Sequence, residues 1–200
     1  MGEYKSVAAA WGAWVVFVDE SGRSLRPPKG RTWAPRGQTP ILRVSGKGSG
    51  RVSIAGLVCI KPGMRTRLMY RTITYHRRKG EKKGFGPGDF AALLTAAHHQ
   101  LGGPILVVWD GLPAHVCAAT RTFIDAHADW LLVYRFPAYA PELNPAEGVW
   151  ACLRDKLLNL TVGGIDQLTL IIRSRLKQMQ YQPTLLNGFV AETRLALQPP

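Results

Sequence analysis

Three short apolar runs along the chain predict buried strands. They cover residues 14–18, 105–109 and 130–136, and each is rich in β-branched and aromatic side chains. Less regular apolar segments at 40–44, 51–60 and 65–75 predict further strands. Glycine-rich or charged segments separate these runs, as expected for strands that are joined by turns and loops.

Helical periodicity appears between the later strands. Helices are predicted at 89–101, 113–128, 144–159 and 165–178, with a short last helix after Pro183. Asp89 is a candidate N-cap for the first of them. A meander of strands that gives way to alternating helices and strands is typical of an α/β fold, with a mixed sheet covered by helices on both faces.

Two apolar stretches resemble membrane-targeting segments, and neither qualifies. Residues 90–109 contain no Asp, Glu, Lys or Arg, but His98, His99 and Pro104 divide them into a helix and a strand. The run at 7–18 is followed at once by two acidic residues and no small-residue cleavage site. We therefore expect no membrane partner.

Composition and charge narrow the functional classes. A chain of 200 residues with 46% apolar and 20% charged residues is neither disordered, nor collagen-like, nor a disulfide-dense miniprotein. Residues 1–90 hold 18 basic and 5 acidic residues, whereas residues 91–200 hold 8 of each, so the first half carries the whole net charge of +13. The electrostatic field of such a charge attracts polyanions and favours a nucleic-acid partner. An Arg-rich surface that only keeps the protein soluble would give the same composition.

The three cysteines exclude two kinds of scaffold. Cys59, Cys117 and Cys152 are odd in number and form no CxxC pair. A disulfide framework and a zinc knuckle are therefore not expected, and the pattern suits the reducing cytoplasm.

Carboxylates stand at the ends of two of the predicted strands. Asp19 follows the run at 14–18, and Asp110 follows the run at 105–109. If the strands are parallel neighbours, these side chains meet at one edge of the sheet, where α/β folds bind ligands. Adjacent carboxylates repel, and a hard cation such as Mg²⁺ or Mn²⁺ relieves that repulsion. For either Asp alone, a turn or a helix cap is the better interpretation, whereas the two together in a basic chain favour a metal site.

A third acidic residue, Glu147, begins a predicted helix. Asn144 is a suitable N-cap and Pro145 suits the first helical position, so Glu147 stands at the third position of a capping box. A capping role and a ligand role are both open for this residue. Glu20, which points away from Asp19 if the strand continues, is interpreted as structural.

Four segments together resemble the DDE endonuclease domain of insertion-sequence and mariner-type transposases. They read VDESG at 18–22, RTWAPRG at 31–37, WDGLPAH at 109–115 and YAPELNPAEGVW at 139–150. The resemblance implies a ribonuclease H-like fold shared with retroviral integrases. It also implies that Asp19, Asp110 and Glu147 hold two Mg²⁺ or Mn²⁺ ions and cut and join DNA at transposon ends.

The resemblance also suggests a domain plan and partners. We expect a short extension at 1–11, the endonuclease domain at 12–160, and a helical appendage at 161–200 that packs on the same domain. Expected partners are transposon-end and target DNA and further copies of the chain, in the cytoplasm at the nucleoid. Family members carry helix-turn-helix modules ahead of this domain, so a separately encoded DNA-binding chain is expected here.

Two departures from the family pattern leave alternatives open. Gly111 stands where the family usually has Asn, and 36 residues separate Asp110 from Glu147, slightly more than usual. A catalytically inactive, truncated remnant that only binds DNA non-specifically therefore remains an alternative. An RNase H-like hydrolase of RNA or hybrids is a third possibility, which the motif segments disfavour.

The remaining candidates are DNA contacts in basic segments. The loop at 22–40 contains four prolines, and the segment at 76–88 is basic and glycine-rich. The candidate contacts are Arg31, Trp33, Arg36, Arg77, Arg78, Lys79, Lys82, Lys83 and His115. Each group also has a purely structural interpretation. The residues at 31–36 would pack their own loop, those at 77–83 would form a solvated charged loop, and His115 would be an ordinary histidine at a helix start.

Overall fold

A five-stranded mixed sheet forms the centre of the computed structural model, which describes residues 3–31, 33–38, 41, 50–137 and 140–193. The strands are β1 (Trp14–Arg23), β2 (Arg51–Ile60), β3 (Arg67–Tyr75), β4 (Ile105–Trp109) and β5 (Leu131–Arg135). Their order is β3-β2-β1-β4-β5, with antiparallel pairing from β1 to β3 and parallel pairing of β1, β4 and β5. The predicted mixed sheet and the parallel pairing of the two Asp-bearing strands are confirmed.

Seven α-helices cover the two faces of this sheet within the described residues. They are α1 (Glu3–Trp11), α2 (Pro87–Leu101), α3 (Pro113–Val116), α4 (Ala118–Asp125), α5 (Pro145–Asp155), α6 (Ile165–Gln180) and α7 (Pro183–Glu192). One apolar core lies between the sheet and α2, and the other lies between the sheet and α1, α5, α6 and α7. No described helix is both long enough and apolar enough to cross a membrane.

The central strand β1 serves both cores. Trp14, Val16 and Val18 pack against the α2 side, whereas Val15 and Phe17 face the α5 side, and all five are at most 2% exposed. A strand buried on both faces reads as a continuous apolar run, which is why the sequence identifies it so clearly.

The prediction that β1 ends at Asp19 is wrong. Parallel pairing with β4 stops at Phe17 and Val108, but antiparallel pairing with β2 carries β1 on to Arg23. The apolar run of β1 therefore ends where its pairing with β4 ends. Beyond that point β1 has a neighbouring strand on one side only.

Several helix boundaries also differ from the predictions. The helix expected at 113–128 is broken at Cys117, whose backbone is extended. Helix α2 begins at Pro87, and Asp89 lies inside its first turn, where its carboxylate accepts the Gly86 N–H at 2.9 Å. Helix α5 ends at Asp155, and Asn159 has φ 55° and exchanges two hydrogen bonds with Gly30.

Two further differences concern the first 50 residues. Helix α1 occupies part of the predicted N-terminal extension, and Gly12, with φ 62°, separates it from β1. The strand predicted at 40–44 falls outside the described residues, apart from residue 41, which lies in no regular element.

Helix α5 is clamped against α7 by a glycine contact. A Cβ atom on Gly148 would lie 2.6 Å from Cδ1 of Phe189, which is far inside van der Waals contact. Phe189 is buried, and in a close-packed core its ring can shift only by displacing its neighbours. Gly148 therefore sets how closely the two helices approach.

Gly148→Ala should destabilise the protein because the new methyl group overlaps Phe189. We expect a loss of about 1–3 kcal/mol, seen as a melting temperature several degrees lower. Gly188→Ala in α7 is the matched control: its Cβ meets nothing within 4 Å, so alanine should stabilise by roughly 0.5–1 kcal/mol. Equal changes in melting temperature for the two variants would contradict the close contact between Gly148 and Phe189.

Candidate active site

Three acidic residues gather at one end of the sheet. Asp110 directly follows β4, Asp19 lies two residues beyond the last parallel pair of β1, and Glu147 stands in the first turn of α5. Parallel β1 and β4 place their carboxyl ends at the same edge. The negative charges of Glu147 and Asp110 both act on the carboxyl of Asp19. The structure therefore brings the three predicted residues into one electrostatic group.

Asp19 is fixed by hydrogen bonds to both of its carboxylate oxygens. Oδ1 accepts the backbone N–H of Glu20 at 2.8 Å, and Oδ2 accepts the indole Nε1–H of Trp150 at 3.0 Å. Trp150 lies three residues after Glu147, so the two side chains share one face of α5. The indole bond therefore holds the first turns of α5 against β1.

A glycine in β2 makes this contact possible. Gly56 is the register partner of Asp19, and a Cβ atom there would lie 2.7 Å from Cη2 of Trp150. Trp150 is buried, with 5% of its surface exposed, and the local sequence around it does not reveal its bond to Asp19. A glycine inside an apolar strand was the available signal, because such a glycine often marks a close approach.

Burial and mutual repulsion raise the pKa of two acidic groups. Burial raises the pKa of Asp19 to about 6, the hydrogen bonds from Glu20 and Trp150 oppose this, and the charges of Glu147 and Asp110 add to it. Burial likewise raises the pKa of Glu20 to about 6, with further increases from Asp110 and Asp19 and a decrease from Arg51. Glu20, interpreted from the sequence as structural, is therefore part of the same acidic group.

Asp110 is held by a buried histidine. Its Oδ1 lies 2.8 Å from Nδ1 of His115 and also accepts the Leu112 N–H at 3.1 Å. The His115 side chain has no exposed surface, and its ring stacks on Trp109 with centroids 4.2 Å apart. Burial lowers the pKa of His115, and the nearby Asp110 only partly offsets this. His115 thus contacts a candidate ligand and presents no surface to solvent.

Glu147 keeps its carboxylate out of the helix cap. Asn144 is the N-cap, as predicted, and its Oδ1 accepts the Ala146 N–H at 3.1 Å, while its backbone oxygen accepts the Glu147 N–H at 3.0 Å. Among the described contacts, no hydrogen bond joins the Glu147 carboxylate to the cap, and the residue is exposed. The capping residues fix the backbone of Glu147 and leave its side chain available.

The donor chemistry of this group suits a hard divalent cation. Within the described residues, no three His, Cys, Asp or Glu side chains are arranged so that they could hold a metal ion. Carboxylates without a cation repel one another, which favours separated side chains. The Oδ2 atom of Asp110 accepts no hydrogen bond from the described residues, so it is open to a ligand. An oxygen-only set of this kind fits Mg²⁺ or Mn²⁺.

The basic segment at 76–83 lies at the same end of the sheet. It follows the last residue of β3, Tyr75, which pairs with Arg51 at the start of β2. The carboxylate of Glu81 accepts the backbone N–H groups of His76 and Arg78, at 2.7 and 3.2 Å. The His76 ring spans Glu81 and Asp166 of α6, and these contacts raise the pKa of His76, with the Asp166 hydrogen bond contributing most. The loop is thereby tied to α6.

The predicted DNA-contacting residues differ in how free they are. Arg77, Arg78 and Lys79 are exposed and have no ion pair within the described residues. Lys82 is paired with Asp89 at 2.8 Å, and Lys83 lies 5.9 Å from the Tyr75 ring. Arg31, Trp33 and Arg36 are exposed in the β1–β2 connection, and Trp33 is fully exposed. Arg77, Arg78 and Lys79 combine exposure with a loop backbone that Glu81 holds in place. These three residues are therefore the strongest candidates for phosphate contact.

A known family matches most of this chain. The model described as DDE superfamily endonuclease matches residues 14–169, a stretch that includes Asp19, Asp110 and Glu147. No curated protein matches the sequence.

Solved structures of Mos1 mariner transposase share the fold. The Mos1 paired end complex with Mn has a TM-score of 0.66 at 13% identity, covering 98% of this chain and 58% of that chain. The Mos1 strand transfer complex has a TM-score of 0.57 at 14% identity, covering 90% and 54%. The Mos1 catalytic domain has a TM-score of 0.53 at 13% identity, covering 96% and 88%. The ribonuclease H-like fold is confirmed, and the chain spans less than three fifths of the length of the transposases in those complexes.

The raised pKa of Asp19 predicts a specific pH dependence of stability without metal. Because the pKa is about 6 in the folded state and 3.8 in a model peptide, the native state alone holds this proton between about pH 4 and 6. Stability from this group is therefore greatest below pH 4 and falls as the pH rises through 6, by up to about 3 kcal/mol. Asp19→Asn lacks that dependence.

The difference in melting temperature between wild type and Asp19→Asn should therefore shift in favour of wild type as the pH falls from 7.5 to 5. The NH2 group of asparagine cannot accept one of the two hydrogen bonds that Asp19 accepts, so the variant loses some stability at every pH. Comparing the two pH values cancels this constant loss. Asp125→Asn, in exposed α4 sequence, controls for loss of a surface charge. A difference between wild type and Asp19→Asn that is constant with pH would refute the electrostatic account of Asp19.

Proposed function

Since the chain belongs to the DDE superfamily endonuclease family, we propose that it is the catalytic domain of a transposase that cuts and joins DNA at transposon ends. The observation that supports this most directly is the gathering of Asp19, Asp110 and Glu147 beside an exposed basic loop. An acidic group with a basic loop at the same end of the sheet is suited to a polyanionic substrate that must approach a metal site.

The proposed metal ligands are the three carboxylates. Asp19, Asp110 and Glu147 would together hold the two ions. Two bound Mg²⁺ or Mn²⁺ ions would supply activation of the attacking oxygen and stabilisation of the leaving oxygen in phosphodiester cleavage and strand transfer. The protein contributes the fixed positions of the ligands, through Trp150 for Asp19 and the Asn144 cap for Glu147.

Asp19 is expected to make this site sensitive to acid. With a pKa of about 6, its carboxyl is mostly protonated below that pH, and a proton there competes with the metal. The hydrogen bonds from Glu20 and Trp150 use one lone pair on each oxygen and leave others for ligation.

DNA is the proposed partner, held first by backbone phosphates. Arg77, Arg78 and Lys79 extend from a loop whose backbone is fixed by Glu81, so little ordering is needed on binding. We further propose that the chain acts as a homo-oligomer on DNA, with end recognition supplied by a helix-turn-helix module on a separate chain. The Mos1 structures that share the fold include paired-end complexes, which is the arrangement this proposal requires.

An inactive remnant that only binds DNA is the alternative, and Gly111 favours it. The family resemblance puts Asn at this position. A Cβ on Gly111 meets nothing within 4 Å, and its backbone is not left-handed, so an asparagine fits without strain. Gly111→Asn therefore separates the two functions: nicking gained only in this variant would mark the wild-type chain as a remnant.

Mn²⁺-dependent nicking tests the proposed enzyme. The substrate is a supercoiled plasmid carrying the DNA that flanks the gene, with and without a helix-turn-helix module supplied on a second chain. Asp19→Asn, Asp110→Asn and Glu147→Gln should each reduce nicking by orders of magnitude, because a neutral amide replaces a metal-binding carboxylate. DNA binding should persist in all three variants, since the basic loop is unchanged.

Glu147→Gln is the most selective of these variants. The Glu147 carboxylate makes no described contact with its helix cap, so the melting temperature of metal-free protein should stay close to that of wild type. Wild-type nicking by Glu147→Gln would remove Glu147 from the ligand set. Equal nicking by all four proteins would point to a contaminating nuclease and refute the proposed site.

The salt dependence of DNA binding tests the basic loop. Replacing Arg77, Arg78 and Lys79 together with Gln should flatten the slope of log affinity against log salt. The expected change is about 0.9 for each phosphate that these side chains neutralise in the wild-type complex.

A matched variant removes the same charge from the opposite end of the sheet. Lys61 follows β2, Arg65 precedes β3, and Lys177 lies near the end of α6, where Gln180 bonds to Leu68. Gln at these three positions should leave the slope near that of wild type. Equal slopes for the two triple variants would move the DNA surface away from the loop.

A further inference from the structure

A buried imidazole lies directly behind one of the proposed ligands. Nδ1 of His115 is 2.8 Å from Oδ1 of Asp110, and the imidazole side chain has no exposed surface, whereas the Asp110 side chain is 47% exposed. We propose that His115 is a positioning residue that fixes the Asp110 carboxylate, so that Oδ2 is presented to the metal. This inference rests on the function proposed above.

The location of the ring proton follows from the contact. An ionised carboxylate only accepts hydrogen bonds, so Nδ1 must carry the proton that lies between His115 and Asp110. In the neutral ring, Nε2 is then an acceptor, and it is buried with no hydrogen-bond partner among the described residues. A buried polar atom without a partner is destabilising, so an apolar ring would serve a purely structural role better.

The ring is held on both sides in the orientation that this bond requires. It stacks on Trp109 with an interplanar angle of 1°, and it meets Phe90 edge-on with centroids 4.6 Å apart. The backbone N–H of His115 donates to the Leu112 oxygen at 2.8 Å. The imidazole therefore has no freedom to turn Nδ1 away from Asp110.

Both described donors converge on the same oxygen of Asp110. His115 Nδ1 and the Leu112 N–H each reach Oδ1, at 2.8 and 3.1 Å. A half-exposed aspartate would otherwise sample several rotamers, and two donors on one oxygen select a single orientation. Outer contacts of this kind orient ligands and affect metal affinity by about 10- to 100-fold.

Direct contact of His115 with DNA does not explain this arrangement. The side chain has no exposed surface, and its ring packs against Trp109 and Phe90. An effect of the residue on catalysis would therefore act through Asp110 or through packing.

Two substitutions separate positioning from packing. His115→Phe keeps an aromatic ring on Trp109 but removes the donor and the unpartnered Nε2. His115→Asn loses the ring but keeps an N–H donor at the place of Nδ1. A structural role predicts that Phe is the milder change by every measure, whereas positioning predicts the opposite order for metal binding.

The readouts are Mn²⁺ affinity by calorimetry and the melting temperature of metal-free protein, both without DNA. We expect His115→Phe to melt at or above the wild-type temperature but to bind Mn²⁺ about 10- to 100-fold more weakly. His115→Asn should melt lower and keep an Mn²⁺ affinity within a few-fold of wild type. His127→Phe, at a histidine of the α4–β5 connection whose Nδ1 contacts the Phe123 backbone oxygen, should leave Mn²⁺ affinity unchanged.

The outcomes distinguish this inference from the proposed function. Wild-type Mn²⁺ affinity in His115→Phe, with weakened binding in Asp110→Asn, would overturn the positioning role alone. No Mn²⁺ binding by wild type, or unchanged binding in Asp110→Asn, would overturn the proposed metal site and the positioning role together.

Discussion

The hydrogen bond between Trp150 and Asp19 is the contact on which the geometry of the site depends. It joins the central strand to the helix that carries Glu147, and it requires the absence of a side chain at Gly56. The same helix is fixed from its other side by α7, because Gly148 allows Phe189 to approach. Arg23, at the end of β1, adds a bond from Nη2 to the Trp150 backbone oxygen at 3.3 Å. Strand and helix thus meet with little freedom to shift.

This rigidity is combined with unfavourable electrostatics. Asp19 and Glu20 are partly buried in one acidic group with Asp110, and the pKa values of both are raised to about 6. Arg51 provides local compensation, and its guanidinium lies against Gly22, where a Cβ atom would displace it. Carboxyl groups whose pKa values are raised by burial and by neighbouring charges are common at functional centres. The surrounding fold has to supply the stability that the acidic group removes.

The sequence predicted those features that depend on local pattern. The apolar runs identified β1 and β4, and the position of Asp110 after β4 followed directly. Asn144 and Pro145 identified the start of α5. These signals succeed because burial and capping leave marks within a few residues of the chain.

The features that the sequence did not reveal depend on distant neighbours. The length of β1 beyond Asp19 is set by β2, the break at Cys117 leaves no glycine or proline signal, and helix α1 gains its support from packing on β1 and β4. The bond from Trp150 to Asp19 joins residues 131 positions apart. The orientation of His115 toward Asp110 required the stacking surface of Trp109 to be known.

The tryptophans beside Asp19 and Asp110 make the fluorescence of the protein sensitive to this site. Of the six tryptophans, Trp150 donates directly to Asp19, and Trp109 stacks on the histidine that bonds to Asp110. The emission of an indole depends on the charges and dipoles around it, and a paramagnetic ion quenches it at short range. A change in the charge at either aspartate therefore reaches an intrinsic fluorophore, so a charged ligand bound beside them would alter the fluorescence of the unlabelled chain.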